Sequence, residues 1–198
     1  MNPRCLLTVI FCLMFSFVHA QSAKEVLDKT AAAVSNKSGI TCAFTLKGGQ
    51  MNDSGTISIK GRKFTATTPD AIIWFDGKTQ WTYLKKNDEV NVANPSETEI
   101  QAINPYNFIY SYKNGYNYTM EKKGGNYEIH LTATAKKGLR EMYVTVNPKT
   151  YIPSQIRIHH KKGWNTIEIR NFKKAKLSDG IFTFNAKDFP KAEVIDLR

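Results

Sequence analysis

Ile40-Thr41-Cys42-Ala43-Phe44-Thr45-Leu46 is the stretch that decides the fold. Apolar side chains stand at 40, 42, 44 and 46, with small or hydroxylated ones between. An extended strand turns this period of two into one apolar and one polar face. The period recurs at Ile57 and Ile59, at Trp81 and Tyr83, and at Tyr127, Ile129 and Leu131. It returns at Met142, Val144 and Val146, at Ile156 and Ile158, and at Ile167 and Ile169. Turn signals fall between these runs: Asp53-Ser54-Gly55, Asp76-Gly77, Gly124-Gly125, Asn147-Pro148, Lys162-Gly163 and Asp179-Gly180. Asp-Gly and Gly-Gly suit the tight turns that match strand twist. About ten strands with hairpin-length links predict a mainly β protein, one large antiparallel sheet, curled or closed.

Upstream of the sheet the chain changes character. Arg4 precedes an apolar run from Cys5 to Val18, which ends at Val18-His19-Ala20. The run is shorter than the roughly 20 residues a membrane span needs. It predicts a secretory signal cut after Ala20, with an uncleaved anchor as the alternative. Cys12 follows Phe11 rather than the small residue a lipid-modified cysteine requires, so residues 21–198 are expected as one soluble domain beginning at Gln21. Cys5 and Cys12 leave with the signal, and Cys42 stays as a lone thiol between apolar neighbours, best read as a small buried hydrophobe.

Ser22-Ala23-Lys24-Glu25 has the pattern of a capping box, and Val26, Leu27, Ala31 and Val34 follow at helical spacing. A second box, Ser96 with Glu99, opens a helical insert of about 20 residues between the strands near Val92 and Tyr118. Ile100 and Ile103 share one face of it, and an aromatic stretch from Tyr106 to Tyr112 follows Pro105. The insert either caps the mouth of a curled sheet or is an ordinary connection packed on the core.

The formal net charge is +11, of which the first twenty residues contribute only Arg4. For an exported protein this field suits anionic head groups or an acidic partner better than nucleic acid, and a plain lysine-rich surface fits equally. No catalytic constellation stands out. His130, His159 and His160 are the histidines beyond the signal, and the last two point to opposite faces of any regular strand. There is no zinc-protease motif, paired Cys-x-x-Cys, P-loop, dinucleotide fingerprint or nucleophile elbow. Neither enzyme activity, cofactor nor metal is expected. Aromatic residues make up 12% of the chain. They fill the core of an ordinary sandwich, or line a hydrocarbon pocket if the sheet is curled and capped.

Three segments carry a family resemblance. Gly55-Thr56-Ile57-Ser58-Ile59-Lys60-Gly61-Arg62-Lys63-Phe64 resembles a strand pair of the LolA-type periplasmic lipoprotein carriers. Asp76-Gly77-Lys78-Thr79-Gln80-Trp81-Thr82-Tyr83 is similar to their Asp-Gly-Lys hairpin and Trp-x-Tyr strand. Ile181-Phe182-Thr183-Phe184, Phe189-Pro190 and Glu193-Val194-Ile195-Asp196 resemble their closing segment, in the same order along the chain.

The resemblance implies a strongly curved, incomplete antiparallel barrel whose helices form a lid over a hydrophobic cavity. It implies a monomeric carrier for acylated lipoproteins or lipids, loaded by an inner-membrane ATP-driven transporter and emptied at an outer-membrane acceptor. The strand registers then nominate Phe44, Ile57, Ile59, Phe64, Trp81, Tyr83, Met142, Val144, Ile156 and Ile158 for the cavity. Ile100, Ile103, Phe108 and Ile109 are nominated for the lid. Such carriers latch the lid with an arginine in a Lys-Arg-Pro-x-x-Phe segment. The matching stretch here, Lys60-Gly61-Arg62-Lys63-Phe64, lacks the proline and is one residue shorter; it nominates Arg62, with helix-end carbonyls as its acceptors. A periplasmic adaptor with a side-chain-filled core, and a hydrolase whose site the sequence hides, are the competing readings.

Overall fold

The computed structural model describes residues 21–48, 51–104, 106–110, 112–135, 140–160 and 163–198. The expected signal, residues 1–20, and Lys162 of one expected turn lie outside them. Helix α1 spans Ala23–Val34 and is followed by β1 (Ile40–Gly48), β2 (Met51–Lys60), β3 (Lys63–Thr67), β4 (Ala71–Phe75), β5 (Gln80–Leu84) and β6 (Glu89–Ala93). Then come α2 (Glu97–Ile103) and a 3-10 turn (Asn107–Tyr110). The second series is β7 (Tyr116–Lys123), β8 (Asn126–Ala133), β9 (Glu141–Val146), β10 (Pro153–His160) and β11 (Gly163–Lys174). Two further 3-10 turns, Asp179–Phe182 and Ala186–Asp188, lead to β12 (Glu193–Asp196).

Twelve strands are found among the described residues, where about ten were expected, and all lie in one sheet ordered β12-β6-β5-β4-β3-β2-β1-β11-β10-β9-β8-β7. Adjacent strands run antiparallel except β12, which lies parallel to β6. Two series of hairpins thus meet at β1 and β11. The sheet is curved and does not close into a barrel.

The order of strands makes the cover. β6 lies near one edge of the sheet and β7 forms the other, so the connection between them must cross the face. On a flat sheet that crossing would span ten strand spacings, about 48 Å at ~4.8 Å each. The connection spends residues 97–103 and 107–110 in helical turns of short rise, so it reaches across because the sheet curls.

The face it crosses is the apolar one. Ile40, Cys42, Ile57, Ile59, Phe64 and Phe75 are aligned on it by register, as are Ile167, Ile156, Val144, Met142, Ile129 and Leu131 across the other half. With Val26 and Leu27 of α1 and Ile100, Tyr106, Phe108 and Tyr112 of the insert they form one buried cluster. We call this the inner face.

The outer face of β4–β6 is covered differently. After β11 the chain passes Leu177, whose backbone N–H donates to the Ser38 carbonyl at 2.8 Å, and runs beneath β3 and β4. Lys60 and Lys63 reach Asp179 at 3.1 and 3.6 Å on the way. Phe184 and Phe189 then pack on Trp74, at ring-centre distances of 5.6 and 5.5 Å, before β12 joins β6. This C-terminal strap explains why Ala71-Ile72-Ile73-Trp74-Phe75 shows no alternation: both faces of β4 are covered.

Asp53-Ser54-Gly55, which reads as a turn, lies inside β2. Gly55 serves close approach instead: a Cβ there would run into the Thr67 carbonyl oxygen and come within 3.2 Å of the Phe44 ring.

Candidate functional site

The inner face and its cover form the candidate site. Both sequence-read capping boxes are present. Glu25 N–H donates to Ser22 Oγ at 3.2 Å and Ser22 N–H to Glu25 at 2.9 Å. Ser96 N–H donates to Glu99 at 2.8 Å and Glu99 N–H to Ser96 Oγ at 3.4 Å. These local signals set where each helix begins, and the apolar residues that follow decide which side meets the sheet.

Of the nominated cavity residues, Ile57, Ile59, Phe64, Met142, Val144, Ile156 and Ile158 are buried on the inner face, and Phe44 is partly covered there. Trp81 and Tyr83 are a correction. Phe64 pairs with Phe75 and Phe75 with Gln80, so the inner-face member of β5 is Gln80 and its neighbour Trp81 points outward. Trp81 lies between Trp74 and Val92 on the outer face, and Tyr83 packs on Phe189 of the strap at 4.6 Å. Their alternation is real, but a period of two does not say which face a strand turns inward.

Ile100 and Phe108 of the insert are buried in the core, and Ile103 and Ile109 pack partly buried against it. Tyr106 and Tyr112, which the sequence did not single out, are among the largest fully buried side chains. The Tyr106 hydroxyl faces the Cys42 thiol without a well-formed hydrogen bond among the described residues. Burial raises its pKa well above the usual tyrosine value and pushes the Cys42 thiol up to about 11. Cys42 is therefore a packed hydrophobe rather than a nucleophile.

Two polar clasps hold the cover at its rim. Arg62, in the β2–β3 turn, donates to the Glu97 carboxylate in the first turn of α2 and lies 5.5 Å from the Tyr110 ring centre. It thus touches the insert through a carboxylate and an aromatic face, a correction to the helix-end carbonyls expected of it. The second clasp is Asp28 of α1, which accepts hydrogen bonds from Tyr112 and, at 2.6 Å, from Lys24. Lys113 stands 3.7 Å away. The bonds from Lys24 and Tyr112 hold the Asp28 carboxyl below its usual range, while burial and then Asp28 raise Tyr112. Lys24 and Asp28 form a local i,i+4 pair, but no sequence motif announces the bond to Tyr112, which lies 84 residues further along the chain than Asp28.

The buried side chains of the cover pack directly on the inner face. Two open clefts of about 390 and 410 Å³ lie elsewhere on the sheet, and neither is lined by α1, α2 or the 3-10 turn. Among the described residues no group of three or more His, Cys, Asp and Glu side chains is placed to hold a metal ion, and no helix is long and apolar enough to cross a membrane.

The open curved sheet with a helical cover over its apolar face is the architecture that the family resemblance implies. The chain belongs to the family described as outer membrane lipoprotein carrier protein LolA, whose model matches residues 14–162. No curated protein sequence matches it at a significant level. Among solved structures it is similar to an uncharacterized conserved protein from Thermus thermophilus (13% identity, TM-score 0.60, covering 89% of this chain and 99% of the other). It is also similar to a DUF1329 family protein from Desulfovibrio piger (13%, 0.51, covering 84% and 99%). A third is a domain from Vibrio parahaemolyticus provisionally named an outer membrane lipoprotein-sorting protein (12%, 0.50, covering 86% and 98%). At these identities the likeness concerns the fold.

Proposed function

We propose that this protein shields the acyl chains of lipoproteins or lipids between the inner face and its helical cover while ferrying them through the periplasm. The carrying observation is the cover itself: a broad apolar sheet face is closed by small helical elements clasped at the rim. Burying hydrocarbon is worth about 0.8 kcal/mol per CH₂, so a chain of ~16 carbons represents on the order of 12 kcal/mol. Cargo of that kind displaces Ile100, Tyr106 and Phe108 from the inner face and takes their place against Ile57, Phe64, Met142, Val144 and Ile156. Phe44, partly covered on β1, marks an entrance in this reading. Residues 1–20 act as a cleaved export signal in this reading. An inner-membrane ATP-driven transporter loads the carrier, and an outer-membrane acceptor receives the cargo.

Arg62 serves as the latch that favours reclosure of the empty cover. Arg62→Leu is expected to fold, hold lipid and deliver it poorly, measured as transfer of a labelled lipoprotein from loaded carrier to outer-membrane acceptor. Wild-type transfer by a folded variant removes the latch role.

The direct packing of the cover's side chains on the inner face favours a second reading, an adaptor that binds protein and holds no lipid. Organic-solvent extraction of the purified protein, followed by mass spectrometry, separates the two. Stoichiometric acyl lipid supports the carrier. Its absence, together with no uptake of a fatty acid offered below its micellar concentration, leaves the adaptor.

A further inference from the structure

Opposite the inner face, across β8 to β11, a run of side chains stacks from strand to strand. His130 of β8 lies on Tyr143 of β9 with ring centres 4.2 Å apart and planes within 1° of parallel. The Arg157 guanidinium of β10 comes next, 5.1 Å from the Tyr143 ring centre and 5.0 Å from that of Trp164 on β11. His159 stacks on Trp164 at 4.7 Å. The register dictates the run, since His130 pairs with Tyr143, Tyr143 with Arg157, and His159 with Trp164. All five residues are half-buried, and among the described residues no helix or strap element packs broadly on them.

Three of the glutamates on this face have bonded partners among the described residues. Glu128 is bonded by Lys123 at 2.9 Å, and Glu121 opposite it shares that lysine's field. Glu168 has Arg170 at 2.6 Å and Lys47 at 3.7 Å. Glu141 sits between His130 at 2.7 Å and His159 at 3.7 Å. Arg157 has ring faces against it but neither hydrogen bond nor ion pair among the described residues. Its planar fork is held by two aromatic walls with its N–H donors unspent, an arrangement suited to paired hydrogen bonds to a carboxylate.

We propose that this ladder is a docking surface for a protein partner, and that Arg157 receives a carboxylate from an acidic segment of that partner. Tyr, Trp and Arg are the residues that dominate protein interfaces when clustered. Glu121, Glu128, Glu141 and Glu168 are interleaved with Lys47, Lys123, Arg157 and Arg170, so among the described residues this face has no excess of positive charge to hold an anionic bilayer. A discrete acidic side chain meets the cation alone, and the rim of like charge then sets its register. Because the ladder lies on the face away from the cover, a partner seated there leaves the inner face free.

The test is NMR titration of the ¹⁵N-labelled protein with a glutamate- and tyrosine-containing decapeptide, read at the Arg157 Nε–H and Trp164 indole N–H. The expected result is saturable shifts at these two groups, weakened at least about tenfold by Arg157→Gln. Arg157→Lys is expected to be weakened as well, because it keeps the charge and loses the planar fork. Trp164→Leu provides a second variant that leaves the charge in place and is also expected to bind more weakly. Shifts that are absent, or unchanged affinity in folded variants, overturn the proposal. Binding of phosphatidylglycerol vesicles through Arg157 with no response to the peptide overturns it in favour of a membrane surface.

Discussion

The inner face of the sheet and the outer face of β4–β6 are both covered, and by different means. Outside, the strap is joined to the sheet by backbone hydrogen bonds along β12 and interlocks Phe184 and Phe189 with Trp74 and Tyr83. Inside, α1, α2 and the 3-10 turn lay apolar side chains on the sheet, and their side-chain clasps sit at the rim, half open to water. Exposed ion pairs contribute little, about 0–1 kcal/mol each. Under the proposed function the strap stays and the cover leaves. Covering an apolar face is a different task from closing it permanently, and one sheet shows both solutions.

The largest effect that would break this comparison lies in the strap. Phe182 is fully buried against the outer face, so Phe182→Ala should lower global stability by about 3–5 kcal/mol, checked by denaturant titration. A loss no greater than that of a cover variant would mean that the two are held alike. Next comes the cover. Ile100→Ala should raise the rate at which Cys42 is alkylated in the native protein by about tenfold or more, because Cys42 lies beneath the cover and reacts when it lifts. Its effect on the global denaturation midpoint should be smaller than that of Phe182→Ala. Arg62→Leu removes one exposed ion pair and one ring contact, together about 1 kcal/mol, and should speed Cys42 labelling about fivefold.

The smallest effect is a pH dependence. The Asp28 carboxyl lies below its unfolded value of 3.8, so its clasp contributes fully above that pH and is lost as pH falls through the lower folded value. Amide protection in the 3-10 turn should therefore drop below about pH 4, and Asp28→Asn should flatten that dependence.

Much of this arrangement was legible in the sequence, for local reasons. Ser22 with Glu25 and Ser96 with Glu99 mark helix starts through a spacing of three, and Ile40 to Leu46 marks its strand through a spacing of two. The family resemblance carried by residues 55–64 and 76–83 agrees with the fold. What the sequence hid is long-range. Trp81 and Tyr83 alternate as well as Ile57 and Ile59 do, yet they turn outward, where Tyr83 meets a strap more than a hundred residues downstream. β4 escaped notice because burial on both faces erases the period. The Asp28–Tyr112 clasp and the stacked ladder around Arg157 depend on which strands and helices become neighbours, and no local pattern encodes that.

The meeting of the two hairpin series at β1 and β11 also governs how the chain assembles. β1 can pair with β2 as soon as both exist, but its other edge waits for Gly163–Lys174. Lys60 and Gly39 wait longer still, for Asp179 and Leu177. Contacts of such sequence separation close slowly, because the intervening loop must lose its freedom before any pairing energy is returned. The first half of the sheet therefore persists as unsealed hairpins with one apolar side exposed until nearly the whole polypeptide is present. A chain with this order of events stays pliable during synthesis and commits to its shape late.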